Sequence, residues 1–94
     1  MNDWKQNEHI LQSAVIFVAG PDRIGLVAEI SSLLANAQVN IGKISLSTLQ
    51  GFCTMVIVVD ISEITIDILE LDQRLKQLGE RLLLSIDLQR PHRS

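Results

Sequence analysis

The apolar positions of this chain change period along its length. Ala14-Val15-Ile16-Phe17-Val18-Ala19 is apolar without a break and runs into Gly20-Pro21. A short run with a turn behind it predicts a strand over Ile10–Ala19 that is buried on both faces. The period then lengthens. Val27, Ile30, Leu34 and Ala37 recur at helical spacing, with Glu29, Ser32 and Asn36 off that stripe, which predicts a helix over Ile24–Ala37. Over Asn40–Leu49, Ile44 and Leu46 alternate with Lys43, Ser45 and Ser47, the mark of a strand with one polar face. Gln50-Gly51 reads as a tight hairpin turn in which Gly51 takes a positive φ. Phe52–Asp60 follows as a second strand apolar on both faces, rich in β-branched residues. Ser62–Thr65 offers caps for a helix over Ile66–Leu78, with Ile68, Leu71, Leu75 and Leu78 on one side. Glu70–Arg74 and Asp72–Lys76 form i,i+4 pairs on its other side, and Gly79 stands where a C′ residue belongs. Arg81–Gln89 is a last strand, with Leu82, Leu84, Ile86 and Leu88 facing one way.

The order β-α-β-β-α-β predicts an α+β, ferredoxin-like fold in one domain. Right-handed crossovers give a four-stranded antiparallel sheet, ordered fourth, first, third, second, with both helices on one face. The two strands apolar on both faces are the two this topology puts in the middle. Residues 9–89 form the domain, 1–8 a polar arm and 90–94 a tail. The helices cover only one sheet face, so the apolar residues of the other face require cover. A second copy, in a homodimer, is the expected cover; the arm around Trp4 or the tail around Pro91 is the alternative.

Composition narrows the function. The 94 residues carry eight Lys+Arg and eleven Asp+Glu, a formal charge of −3. That balance argues against a chain that neutralises many phosphates or anchors on an anionic membrane. Trp4, Phe17 and Phe52 are the whole aromatic complement, too few to stack bases on the sheet, so no nucleic acid is expected. No apolar run reaches membrane-spanning length, and the polar start lacks the features of a signal peptide, so the cytoplasm is expected. Cys53 is the single cysteine and reads as a small strand hydrophobe. His9 and His92 fall in the presumed tails, and neither a metal nor a cofactor is expected. No nucleophile elbow or phosphate loop occurs.

Gly20-Pro21-Asp22-Arg23-Ile24-Gly25 is the informative segment. A glycine-bearing loop entering a helix presents free backbone N–H groups and the positive dipole end, which suits an anion such as an amino-acid carboxylate. The same residues also fit a plainer role: Asp22 capping the helix, with Gly20 and Gly25 permitting close packing. An acylphosphatase-type enzyme places an Arg in this loop and an Asn on the second strand, where Arg23 and Asn40 lie. The loop does not otherwise resemble the Gly-Val-Gln-Gly-Val signature of that family.

Taken together, Gly20-Pro21-Asp22-Arg23-Ile24-Gly25-Leu26-Val27-Ala28-Glu29-Ile30, Val39-Asn40-Ile41 and Gly51-Phe52 before Met-Val-Ile-Val-Val resemble an ACT domain. The likeness spans Ile10–Leu88 and is to the small stand-alone ACT proteins, and more distantly to the paired modules of the glycine-cleavage repressor type. It implies a ferredoxin-like fold, regulatory binding of an amino acid or similar small molecule, paired domains and an unidentified downstream protein. It also implies a ligand held between two domains. Gly20, Asp22, Arg23, Ile24 and Gly25 would line the loop side, and Asn40 and Ile41 of the partner the strand side. Arg23 would serve the ligand carboxylate or a neighbouring acid such as Glu29. The loop departs from many amino-acid-binding relatives in carrying Pro21-Asp22, whose carboxylate repels a ligand carboxylate unless it faces the amine.

Overall fold

A computed structural model describes residues 12–90. Six elements follow one another: β1 (Ser13–Pro21), α1 (Leu26–Asn36), β2 (Asn40–Leu49), β3 (Phe52–Asp60), α2 (Ile68–Leu82) and β4 (Ser85–Gln89). The sheet is antiparallel throughout and ordered β2-β3-β1-β4, the ferredoxin-like arrangement. β2 and β3 begin and end where the periodicity puts them. The arm, both histidines and the tail after Arg90 lie outside the described residues.

Alternation decides the burial of the central strands. Ala14, Ile16 and Val18 of β1 and Cys53, Met55, Ile57 and Val59 of β3 are fully buried on the helix side. Leu26, Ile30, Leu34 and Ala37 come from the α1 side, and Leu71, Leu75, Leu78 and Leu82 from α2. At about 25 cal/mol per Å² of apolar surface, each such aliphatic side chain contributes roughly 1.5–3 kcal/mol. The other β1 and β3 positions face away from the helices, and Phe17, Phe52 and Val58 are exposed there. The second apolar face exists as the pattern requires.

The bounds of four elements, β1, α1, α2 and β4, are corrected. β1 begins at Ser13, after a turn at Gln12. α1 begins at Leu26, because Gly25 takes the left-handed conformation and turns the chain into the helix. The buried stripe is therefore Leu26, Ile30, Leu34 and Ala37, while Val27 is exposed. α2 starts after Asp67, so Ser62–Thr65 do not cap it. Nor does it stop before Gly79: it runs to Leu82, and Leu83 takes the left-handed position. Gly79 serves close packing instead, since a β-carbon there would stand 2.6 Å from the Leu84 carbonyl oxygen. Arg81 and Leu82 thus belong to α2 and not to the last strand, which opens at Ser85.

The exposed side of α2 carries the ion pairs its spacing predicts, Glu70–Arg74 and Asp72–Lys76. Lys76 also reaches the Ile86 carbonyl at 3.4 Å and Asp87 at 3.6 Å, which ties α2 to the outer edge of β4. Among the described residues, no helix is long and apolar enough to cross a membrane.

Candidate functional site

The loop from Gly20 to Gly25 stands at the end of the sheet where β1 finishes. Gly20 pairs with Cys53 and Pro21 with Phe52 across β1 and β3. Gly20 is a packing glycine: a β-carbon on it would meet Leu84 Cδ2 at 2.7 Å and the Leu83 carbonyl at 3.0 Å. Asp22 donates its backbone N–H to the Gly51 carbonyl at 2.9 Å, so the loop is fastened to the β2–β3 hairpin. Gln50 and Gly51 both have positive φ, 51° and 80°, as a type I′ turn demands. This hairpin is the part of the site that sequence reasoning missed. Its turn chemistry was legible, but its bond to the loop depends on the pairing of β3 with β1.

Gly25 has φ 85° and nothing within 4 Å of where its β-carbon would be. It opens α1 with no side-chain cap, so Asp22 does not cap the helix. The Gly25 carbonyl accepts from Glu29 at 2.9 Å, closing the first helical turn. The Leu26 N–H donates to the Arg23 carbonyl at 3.4 Å, and the N–H groups of Val27 and Ala28 in the same turn have no intrahelical acceptor upstream. Asp22, Arg23 and Ile24 are exposed, Ile24 fully so. Arg23 does not pair with Glu29. Arg81 of α2 holds that acid at 3.3 Å, across the cleft between the two helices.

Asn40 and Ile41 are elsewhere. Asn40 pairs with Asp60, and Asp60 with Ser13, which puts Asn40 where β1 begins. The loop lies where β1 ends, seven residues further on, or roughly 23 Å at about 3.3 Å per residue. Within one chain the structure brings Gly20, Asp22, Arg23, Ile24 and Gly25 together and leaves Asn40 and Ile41 at the opposite end. Within one chain the same separation keeps Arg23 and Asn40 from meeting around one phosphate, as the acylphosphatase alternative requires.

Cys53 is fully buried beneath the loop. Burial pushes its thiol pKa up, and the nearby Asp22 carboxylate adds to the shift. A thiol held protonated in this way is a packing residue and not a nucleophile. No group of three or more metal-ligating side chains occurs among the described residues.

The decisive observation is the extent of one match. Residues 12–89 fit the family described as the ACT domain, the whole span from the start of β1 to the end of β4. The chain belongs to the ACT domain family. It is 46% identical over 72 residues to a UPF0237 protein of Pyrobaculum aerophilum, a match covering 77% of this chain and 80% of that relative. The ACT domain protein from Streptococcus pneumoniae is 34% identical, with a TM-score of 0.71 over 82% of this chain and 86% of that one. The regulatory subunit of aspartate kinase from Thermus thermophilus is similar in fold alone, with a TM-score of 0.65 at 20% identity over 84% of this chain and 51% of that one.

Proposed function

We propose that this ACT domain is a non-catalytic regulatory module of the cytoplasm, which binds an amino acid or similar small ligand at a homodimer interface. Occupancy of that interface is then passed to another protein. The observation that carries the reading is the open, uncapped start of α1 at Gly25, where backbone N–H groups can meet a carboxylate without a side chain in the way. Asp22, Arg23 and Ile24 are exposed beside it; in this reading the Asp22 carboxylate meets the ligand ammonium, with Arg23 and Ile24 on either side. Asn40 and Ile41 join the site from a second copy, since in their own chain they stand at the far end of the sheet.

The test is a thermal-unfolding screen of the purified chain against the twenty amino acids at millimolar concentration. A ligand at ~100 times its Kd adds about 2.7 kcal/mol, which moves the midpoint of so small a domain by many degrees. A shift with one or two amino acids is the expected result, and replacing Gly25 with valine removes it. A flat response to all twenty favours a ligand-free dimerisation domain, a reading to which Asp22 lends weight through its repulsion of a carboxylate.

A further inference from the structure

We infer that the open face of the sheet is a self-complementary interface with a second copy of this chain, in which Phe17 of each copy seats beside Ala19 of the other. The face carries Val15, Phe17, Ala19 and Pro21 on β1, paired with Val58, Val56, Thr54 and Phe52 on β3. Phe17 is 45% exposed and Phe52 51%, although both stand on central strands. The flanking strands give this face a polar rim: Lys43, Ser45 and Ser47 from β2, and Ser85, Asp87 and Gln89 from β4. An apolar centre with a polar rim is the anatomy of a protein interface. Four strands at ~4.8 Å spacing, from five to ten residues long, make a face of roughly 500 Å² per copy, enough for a pair to reach the ~1,000 Å² of a specific interface.

The shape of the face selects the occupant. A depression of about 210 Å³ lies on it, lined by Phe17, Ala19, Thr54, Val56, Ser85 and Asp87. A cavity of about 150 Å³ already accepts a benzene ring, so this one has room for a phenyl side chain. A two-fold axis running across the strands, above the Val18–Met55 rung, brings each Phe17 over the partner's Ala19. It also brings each Val58 over the partner's Phe52. At the centre the large Phe17 then faces the small Ala19, the arrangement in which stacked sheets about 10 Å apart interdigitate. Asp87 faces the partner's Ser85 and not a second carboxylate. The same axis carries Asn40 toward the partner's Gln50–Gly51 hairpin, to which the ligand loop is fastened. An axis along the strands would leave Asn40 at the wrong end. The interface thus completes the site of the proposed function, and in that respect rests on it, but the pairing itself requires no ligand.

Sedimentation equilibrium of the full chain tests it. The wild type is expected at about twice 10.5 kDa, and Phe17→Glu at the mass of one chain with an unchanged circular dichroism spectrum. Phe17→Ala and Ala19→Phe should each weaken the dimer about tenfold or more, one by emptying the depression and one by setting ring against ring. The double variant Phe17→Ala/Ala19→Phe should recover to within a few-fold, because the two-fold merely exchanges the partners. That recovery decides the matter even if Phe17→Glu fails to fold. A wild type at the mass of one chain, as when its own arm covers the face, overturns the proposal. So does a dimer that survives Phe17→Glu, as edge-to-edge pairing would, or a double variant no tighter than its parents. A dimer that behaves as expected yet responds to no amino acid contradicts the ligand reading alone.

Discussion

The backbone amide of Asp22 is held 2.9 Å from the carbonyl of Gly51, so the loop at the start of α1 and the hairpin between β2 and β3 move as one piece. Eleven residues of helix and ten of strand lie between these segments along the chain, yet β3 pairing with β1 sets them side by side at one sheet end.

The hairpin is therefore a lever on the loop. Gln50 occupies a left-handed position that asparagine tolerates better, and Asn-Gly is the favoured type I′ pair. Gln50→Asn is expected to raise stability by about 0.5 kcal/mol. Gly51→Val, which forces a β-branched residue to positive φ, should lower it by about 1–2 kcal/mol. Urea denaturation at constant m-value measures both changes.

At the other helix, Gly79 has no room to grow. Its β-carbon would stand 2.6 Å from a backbone oxygen of Leu84, which cannot swing aside as a side chain would. Gly79→Ala should cost about 2 kcal/mol or more despite the higher helix propensity of alanine. A midpoint equal to or above that of the wild type would show that the contact is slack.

Leu83 offers the opposite case. It is 77% exposed and holds φ 62°, so it carries left-handed strain with little burial in return. Leu83→Gly should stabilise the fold by roughly 0.5–1 kcal/mol. Differential scanning calorimetry of the two proteins reads the difference directly.

Cys53 gives a pH prediction. Its thiol pKa is raised in the folded chain by burial, then by Asp22, above its ordinary value of 9.0. On unfolding, the thiol returns toward that ordinary value and loses its proton more readily. As pH rises past 9.0 the unfolded state therefore gains stability and the folded state loses it. Cys53→Ala should weaken the part of the alkaline decline that this thiol causes, at the expense of a small cavity. A thiol reagent should label the native protein only at the rate of opening.

Much of this was legible in the sequence because the signals are local. The unbroken apolar run before Gly20 and the β-branched run after Phe52 marked the central strands, and Gln50-Gly51 marked the turn between β2 and β3. Gly79 misled because glycine ends helices and also permits close packing, and only the position of β4 distinguishes the two. The α1 stripe keeps Ile30, Leu34 and Ala37 but starts at Leu26 and not at Val27, because Gly25, not Asp22, opens the helix. The partner of Glu29 was hidden in the same way, since Arg81 approaches it from another helix. Asn40 and the loop could be named from the resemblance, but their placement at opposite sheet ends follows from strand direction. That separation is why the proposed site spans two copies.

The most direct test of the central claim is a heteronuclear NMR titration of the labelled chain with pools of the twenty amino acids. The account predicts that one pool shifts the amides from Asp22 to Val27 together with those of Asn40 and Ile41, while the amides of α2 stay in place. No shift in any pool, or shifts confined to residues away from this loop, would contradict it.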